Sequence, residues 1–481
     1  MLFDRDQAPR VMTPEQEDLI HAQGMRILEE IGLDVLHDDM LKLLAEAGQQ
    51  LDGNRVRFDP AWVMAQVALA PRTFTLHARN PANTVEVGGG TPLYMGVGGP
   101  PFFSDLDEGR RGGTLEGHDT MIKLTQAAAP LNCAQTGACE PVKMDVHTRH
   151  LDMEYSTIRW SDLPYTTYGT SGPKARDGIE MARIVHGGDL GERTALMGVV
   201  NSVSPLIWDF RMVDALMAWA ESSQATIVTP FLLGGATAPV SVSGGLAQQV
   251  AETLSGVALT QVVRPGAPVL YGSFFQATDM RTGAPAFGTP ESIFGIFGGA
   301  QLARRYGLPF RGGGALTGAN VVDAQCGAEA AFMLWATMLA GTDVVLHAAG
   351  WLEGGLVASC EKFALDVELL EQFTIQMRGI GTSEEELAFD MLAEAGPGGL
   401  ILASEHTSLH FKEWLYMSPL FTTQDFTTWN AAGAEDTAQR ANRRWKKLLE
   451  SYEDPGIDAE VDAELIGFME RRKAEPPPDE D

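Results

Sequence analysis

Two pairs of histidines have spacings that would bring their imidazoles onto one face of a helix. His147 and His150 stand three residues apart with Glu154 beyond them, and His406 and His410 stand four apart. Imidazole and carboxylate groups arranged in this way bind zinc, so a metal-dependent TIM-barrel hydrolase is one hypothesis. Neither stretch reads HExxH, and histidines in ordinary surface or core positions are commoner. We therefore predict no bound metal, and the hydrolase remains an alternative.

Nucleophilic chemistry has weaker support. The sequence contains no GxSxG elbow around a serine. Cys133, Cys139, Cys326 and Cys360 lack CxxC spacing and lie in apolar, strand-like or helix-like surroundings, which predicts inert buried thiols. Four cysteines in 481 residues do not make a disulfide framework, and they indicate a reducing cytoplasm.

Aromatic residues recur where predicted strands end. Aromatic faces attract a cation that has no N–H donors of its own, such as a quaternary ammonium. Trp351 and Tyr168 fit best, because they end or follow strands, whereas a phenylalanine inside a strand is more often a core residue. The predicted substrate-binding rings are Tyr94, Tyr168, Phe231, Phe274 and Trp351.

The elements that must position these rings alternate between strand and helix from about residue 113. Eight strand–helix pairs within about 270 residues predict an α/β fold, a (β/α)8 TIM barrel. A doubly wound sheet is the alternative, but Gly312-Gly313-Gly314 does not have the spacing of GxGxxG. The predicted strands are Leu131–Gly137, Tyr165–Thr170, Ala195–Val203, Thr226–Leu233, Val269–Gln276, Pro309–Gly313, Val344–Ala349 and Cys360–Asp366.

The chain is predicted to have three regions. Residues 1–112 form an N-terminal extension of helices and a small β region, residues 113–380 the barrel, and residues 381–481 a helical C-terminal extension with an acidic tail. Thr13 to Gln16 has the spacing of a capping box and predicts the start of the first helix.

Charge excludes two classes of partner. Asp plus Glu number 64 against 35 Lys plus Arg, so the formal charge is −29. This field repels the phosphates of nucleic acids and anionic membrane surfaces, and no apolar run approaches the ~18 residues that span a bilayer. We expect a cytoplasmic protein. The one basic cluster, within Thr437–Ser451, is interpreted as a solvated helix face.

Several segments, in their order and spacing, resemble the trimethylamine methyltransferase family. The likeness extends over nearly the whole chain. The segments are Arg311–Thr317, Asp323–Gln325, Gly327–Glu329, His347–Leu356 and Glu361–Asp366, with Ile27–Gly32, Val35 and Asn80-Pro81 nearer the start.

The resemblance implies a TIM barrel that moves a methyl group from a methylated amine to the Co(I) of a corrinoid. The corrinoid, a cobalamin, would be supplied by a separate partner protein. Asp145 to His150 has histidine where the DxHxxG corrinoid motif needs glycine, so we expect no cobalamin bound tightly by this chain. The chain contains no pyrrolysine, and it is therefore similar to the branch whose substrates are glycine betaine and related quaternary amines.

Within that family reading, His347 is the predicted catalytic residue, because it ends a strand and can donate to a substrate carboxylate; a satisfied core histidine is the alternative. Gln276, Gln325 and Glu353 join the rings as predicted substrate-binding residues. A non-catalytic betaine-binding protein remains a second alternative to the enzyme. A large barrel with an extension often self-associates, so a homo-oligomer is expected.

Overall fold

A computed structural model describes residues 8–476. The remaining residues, 1–7 and 477–481, which include the end of the predicted acidic tail, lie outside the described part. Eight short parallel strands occupy the centre of the molecule. They are β1 (Leu93–Gly96), β2 (Ala134–Gln135), β3 (Tyr165–Thr166), β4 (Met197–Val200), β5 (Ala225–Val228), β6 (Val269–Gly272), β7 (Phe310–Gly313) and β8 (Val344–Ala349).

These strands pair in the order β1-β8-β7-β6-β5-β4-β3-β2. A parallel bridge between Met95 and Cys133 joins β1 to the start of β2, so the sheet returns on itself as a barrel. Apolar side chains, among them Leu93, Ile227 and Leu270, fill its interior. The predicted (β/α)8 barrel is confirmed.

Each strand is followed by a helix on the outside of the barrel. Side chains of polar residues cap most of these helices; Thr114, Asp209 and Thr289, for example, each accept a hydrogen bond from an N–H of the first turn. The helices are α1 (Leu115–Ala127), α2 (Arg149–Trp160), α3 (Gly172–Val185), α4 (Phe210–Glu221), α5 (Val242–Val263), α6 (Pro290–Tyr306), α7 (Ala324–Leu339) and α8 (Cys360–Gln376).

One predicted strand is wrong. Cys360–Asp366 is the start of α8, whose first turn is capped by Ser359. This stretch is buried throughout, and a fully buried helix has the continuous apolar pattern of a buried strand. The missing eighth strand is β1, which lies inside the predicted N-terminal extension. The division of the chain at residues 112 and 380 stays a prediction.

Two small sheets stand on the C-terminal ends of the barrel strands, and we call them the rim sheets. The first rim sheet joins Trp351–Leu352, Val357–Ser359, Phe102–Asp105 and Gly109–Gly112. The second rim sheet joins Phe231–Gly234, Phe274–Thr278 and Pro285–Ala286. They are short extensions of the segments that leave β1, β5, β6 and β8, so they fix the loops around the barrel mouth.

The N-terminal extension lies partly at the opposite end of the barrel and partly along the outer face of α5. The hairpin Phe74–Leu76 with Val85–Val87 packs against the barrel's inner apolar cluster. Thr13 forms the predicted capping box with Gln16. The other elements of this region are Pro14–Arg26, the π-helical turn Ile27–Ile31, Leu33–Val35, Asp38–Glu46, Gln50–Asp52, Arg55–Arg57, Pro60–Val67 and the 3-10 turn Pro81–Asn83; Ile207–Trp208, from the barrel region, pairs with Leu33–Val35.

Helices also follow the barrel. Thr437–Glu450 packs against α8 and α1, and Ala459–Ala474 packs against α2 and α3. Within residues 8–476, none of the helices has the length and apolarity needed to span a membrane. Between α8 and Thr437 lie Glu384–Leu387, Phe389–Ala395, the 3-10 turn Ile401–Ala403, Glu405–Trp414 and Phe426–Ala431.

Candidate active site

His347 lies in β8 at the barrel mouth, where the strand leaves its regular register with β1. It is 8% exposed, and its φ of 60° is a left-handed conformation that residues other than glycine seldom adopt. The amide of Gly98 donates a hydrogen bond to its Nδ1 at 3.2 Å. Burial, and then the charge of Arg311, hold the pKa of His347 well below 6.5. The neutral ring accepts at Nδ1, so its proton is on Nε2, where it can be donated to a ligand.

Four further rings gather around His347, and we call these five residues the aromatic cluster. Trp351 is the nearest to His347, with 4.3 Å between ring centroids. Phe274 lies at the centre, 5.0 Å from Phe231, 6.2 Å from Phe287 and 6.3 Å from both His347 and Trp351. Phe231, Phe274 and Trp351 belong to the rim sheets, and Phe287 directly follows the second one. The segments that leave β5, β6 and β8 therefore converge on one apolar surface.

Arg311 brings a positive charge to the same place. It comes from β7, is 3% exposed, and its guanidinium carbon lies 4.9 Å from the centroid of Phe274. Burial lowers the pKa of Arg311 to about 9, which leaves it protonated at neutral pH. Nη1 donates to the carbonyl of Ser273 at 3.3 Å. Among the described residues no carboxylate forms an ion pair with Arg311.

Two buried donors at this position lack partners in the described part of the chain. They are Nε of Arg311 and Nε1 of the Trp351 indole. A buried donor left without a hydrogen bond costs about 1–3 kcal/mol, and more when it is charged. Such groups in a native protein indicate a ligand or water that completes them. The donors here would suit an acceptor with two oxygens, such as a carboxylate.

A buried ion pair supports the turn that carries Trp351. Nζ of Lys362 binds Asp366, and both side chains are 0% exposed. Lys362 also donates to the carbonyl of Ala315 at 2.9 Å, while Asp366 accepts from the amide of Gly350 at 2.8 Å. Burial raises the pKa of Asp366 to about 6, so the carboxylate is ionised at neutral pH. The pair therefore links α8 to the ends of β7 and β8, on either side of His347.

The site thus combines an apolar aromatic surface with donors at its edge. Rings attract a cation through their faces, and Arg311 attracts an anion. A molecule with both charges, and a carboxylate a few ångströms from a cation, satisfies both parts of the site. The neutral His347 can add a further N–H to the carboxylate.

Comparison with known proteins decides the family. The model of the trimethylamine methyltransferase family matches residues 2–477. The chain belongs to this family. A glycine betaine methyltransferase of Desulfitobacterium hafniense (strain Y51) is 38% identical over 467 residues, covering 97% of both chains.

Two further comparisons support the same family and fold. A proline betaine:corrinoid methyltransferase of Eubacterium limosum is 28% identical and covers 88% of this chain and 89% of its own. Among solved structures, the monomethylamine methyltransferase of Methanosarcina barkeri matches with a TM-score of 0.53, covering 94% of this chain and 90% of that one. Its 11% identity is evidence for the fold alone.

Four of the residues predicted from the sequence meet in this family member's barrel mouth. His347, Trp351, Phe274 and Phe231 all belong to the aromatic cluster. Their contact with a substrate stays a prediction, which their proximity supports.

The other predicted residues have different surroundings. Tyr94 follows the inward-facing Leu93, so it points out of the barrel and lines a cavity at the N-terminal end with Asp343 and Arg378. Gln325 is exposed on α7 and donates to its neighbour Glu329.

Three neighbours of the mouth are engaged with protein groups. Gln276 accepts from Ser292 at 2.6 Å, and Glu353 binds Arg110 at 2.9 Å. The hydroxyl of Tyr168 donates to Glu140. These contacts explain the positions of the three side chains without a ligand. Among the described residues, Tyr168 makes no ring contact with the aromatic cluster.

The histidine pairs have protein partners as well. His150 binds Asp177, which also binds Arg472, and His147 is exposed. His410 stacks on Trp414 and binds Glu385, far along the chain from the barrel. Glu154, which the helix pattern placed beside His150, accepts from Thr167 at 3.0 Å, and burial raises its pKa to about 8.

Sequence reasoning missed Arg311 and Phe287. The signal for Arg311 was available, because a charged residue directly before Gly312 stands in an otherwise apolar, buried strand. Phe287 lies in a Gly- and Pro-containing loop beyond the second rim sheet, and no periodicity marks it.

Proposed function

We propose that the protein transfers a methyl group from glycine betaine, or a close carboxylated quaternary amine, to the Co(I) of a corrinoid on a separate protein. In this step the bond between nitrogen and one methyl carbon breaks, and both its electrons stay on nitrogen. The Co(I) lone pair forms the new bond to that carbon. The products are a methylated corrinoid and a neutral tertiary amine, dimethylglycine when the substrate is glycine betaine.

The observation that carries the substrate class is Arg311 beside the aromatic cluster. A cation without an anion, such as choline, would lie against the cluster and meet the uncompensated charge of Arg311. A betaine brings its own carboxylate, which pairs with that charge while its methyl groups lie on the rings. The carboxylate would also use the free donors of Arg311 and Trp351 and the Nε2–H of His347.

The leaving group explains why this site needs no general acid. Displacement from a quaternary ammonium releases a neutral amine, so no proton has to be delivered. The described side chains therefore have to hold the cation, align one methyl group for in-line attack and exclude water. A buried, largely apolar mouth with a neutral histidine fits these tasks.

A protein partner has to cover the mouth, because the corrinoid must come within bonding distance of the methyl carbon. The loops at this face are suited to protein contact. Seven of the eight strand-to-helix connections expose a large apolar side chain, whereas the described helix-to-strand connections expose none. The most exposed apolar residue of each of these connections is Leu106, Val146, Val203, Val240, Met280, Val321 or Leu356.

The test follows cobalt spectroscopically. The full-length chain is added to Co(I) corrinoid, free or on its carrier, with glycine betaine, proline betaine, carnitine, choline and trimethylamine offered in turn. We expect methyl-Co(III) and an equal amount of tertiary amine with glycine betaine, and no reaction with choline or trimethylamine.

Two results would overturn the proposal. Transfer from choline or trimethylamine at the same rate as from glycine betaine would remove the role of the carboxylate. The proposed methyl transfer would be refuted if no carboxylated substrate gave methyl-Co(III) on a carrier that another methyltransferase can methylate. Tight binding of glycine betaine in that second case would identify a betaine-binding protein.

A further inference from the structure

The segment between α8 and Thr437, residues 380–434, differs from the rest of the molecule, and we call it the arm. Its helices are four to ten residues long. Residues 380–419 contain no buried residue in the described structure. Six large apolar side chains of the arm are instead 66–93% exposed: Ile380, Phe389, Leu400, Leu402, Leu409 and Phe426.

The arm does not have the means to hold its own shape in water. Isolated helices shorter than about 12–15 residues are marginal, and most helical stability in proteins comes from packing an apolar face. The arm's internal bonds are local, such as the capping box of Ser383 with Glu386 and the contact of His410 with Glu385. One side-chain tie to the barrel is Tyr416, which donates to Glu368 and Glu371 of α8.

The apolar surface continues onto the barrel flank. Phe332 on α7 is 61% exposed, and Ile375 near the end of α8 is 38% exposed. Burying a Leu or Phe side chain removes roughly 100 Å² from water. The apolar side chains of the arm therefore approach the ~800 Å² per partner that a stable interface of standard size covers.

Charge indicates what covers this surface. Glu384, Asp390 and Glu394 on the arm form no ion pair among the described residues. Arg444 and Lys447 on the helix Thr437–Glu450 likewise form none there. The chain therefore presents an acidic apolar arm and, next along the sequence, an unpaired basic helix face, which is a self-complementary arrangement.

We propose that the arm is the interface between two copies of this chain. In a two-fold dimer the arm of each protomer packs on the flank of its partner, and its acidic residues face the basic helix of that partner. A corrinoid protein fits the surface less well, because it must leave after each transfer and the reaction requires it at the barrel mouth. Large apolar interfaces belong to permanent assemblies.

The first experiment measures molar mass. Sedimentation velocity of the full-length chain at micromolar concentration is expected to give a dimer. The variant Phe389→Asp/Leu402→Asp should sediment as a monomer. Leu19→Asp is the matched control, because Leu19 is 71% exposed and lies outside the arm, and this variant should remain dimeric.

A charge-exchange experiment tests the pairing. Asp390→Lys/Glu394→Lys reverses the charge of the arm, and Arg444→Glu/Lys447→Glu reverses the charge of the helix Thr437–Glu450. Each variant alone should dimerise at least tenfold more weakly. Mixing the two should restore association, since both contacts of the mixed dimer are then between opposite charges. Circular dichroism and methyl transfer to free Co(I) corrinoid show that each variant is folded.

A monomeric wild-type chain would overturn the proposal, and so would arm variants that remain dimeric. Mixed charge variants that stay apart would overturn the predicted pairing of arm and helix. A monomer that binds its corrinoid carrier through Phe389 and Leu402 would assign the arm to the carrier instead. Because the readout is mass, a failure here leaves the proposed reaction untouched.

Discussion

The amide N–H of Gly98, just beyond β1, donates to Nδ1 of His347 in β8 at 3.2 Å. These are neighbouring strands at the seam where the first and last strands of the barrel pair. The bond fixes which nitrogen of the neutral ring carries the proton, and it fixes the ring's orientation beside Trp351. The contact that fixes the donor of the site therefore lies at the seam that closes the barrel.

We predict that KM for glycine betaine is flat between pH 6 and pH 8. The pKa of His347 lies well below 6.5, so the ring stays neutral over this range and keeps its single Nε2–H. The unfolded chain protonates this histidine near 6.5, so the contribution of the neutral His347 ring to folding becomes less favourable as the pH falls below that value.

Initial rates at five pH values, with free Co(I) corrinoid as acceptor, measure the first effect. The second effect is the change, between pH 7.5 and 5.5, in the difference in unfolding free energy between the wild type and His347→Asn in urea. A tenfold change in KM with a midpoint near 6.5 would contradict a neutral buried ring. His347→Asn, which keeps a donor but does not titrate, should retain the flat profile.

Arg311→Met should lower kcat/KM for glycine betaine about 10–150-fold, since a hydrogen bond to a charged group contributes about 1.5–3 kcal/mol. The loss should appear in KM. Choline should bind the variant better than it binds the wild type, because the opposing charge is gone. Arg176→Met is the control: this arginine is 54% exposed and pairs with Asp214 on the outside of the barrel. Equal losses with choline and glycine betaine would assign Arg311 to stability alone.

The sequence allowed the barrel to be predicted because seven of its strands are short buried apolar runs separated by capped helices. It misled at Cys360–Asp366, where burial on all sides hides the helical period, and at β1, which is a four-residue strand inside a Gly-rich region. Periodicity carries no information on pairing between distant segments. The pairing of β1 with β8 is therefore visible in the folded structure and not in the sequence.

The site was predictable in part for a related reason. Residues next to strand ends in a barrel converge on its mouth, and that rule found His347, Trp351, Phe274 and Phe231. The rule gives no direction for each side chain. The rule placed Tyr94 at the mouth. Successive side chains of a strand point to opposite faces, and Tyr94 in β1 points outwards to the surrounding helices.

The aromatic cluster should select for positive charge and not only for shape. The comparison ligand is 3,3-dimethylbutanoate, in which a neutral carbon replaces the nitrogen of glycine betaine. The wild type should bind glycine betaine about 2–30-fold more tightly, from cation–π attraction of about 0.5–2 kcal/mol. Trp351→Leu should reduce this ratio towards one. Calorimetric titration measures both ligands, and equal affinities in the wild type would show that the rings supply only an apolar surface.

Removing one charge of the buried Lys362–Asp366 pair should destabilise the fold more than removing both charges. Asp366→Asn leaves a fully buried ammonium without its counter-charge, which costs about 3–5 kcal/mol in the free energy of unfolding. Lys362→Met/Asp366→Leu removes both charges and should cost less than either single change. Urea unfolding at pH 7.5 measures Asp366→Asn, Lys362→Met and the double variant. A double variant as unstable as the sum of the two single ones would mean that each residue acts separately.

The exposed apolar residues around the mouth should contribute to binding of the corrinoid carrier and not to the methyl-transfer step itself. Val240→Asp and Met280→Asp place a charge where an apolar side chain is 78% and 73% exposed. If these residues meet the corrinoid protein, KM for carrier-bound Co(I) should rise at least tenfold, because a desolvated contact loses its apolar partner. Transfer to free Co(I) corrinoid should stay unchanged, since neither residue belongs to the aromatic cluster.

Leu69→Asp is the control for this experiment. Leu69 is 45% exposed in the N-terminal extension, and its substitution should alter neither rate. Loss with the free corrinoid would place these residues in the substrate site, and unchanged KM for the carrier would direct the search for its docking surface elsewhere on the barrel.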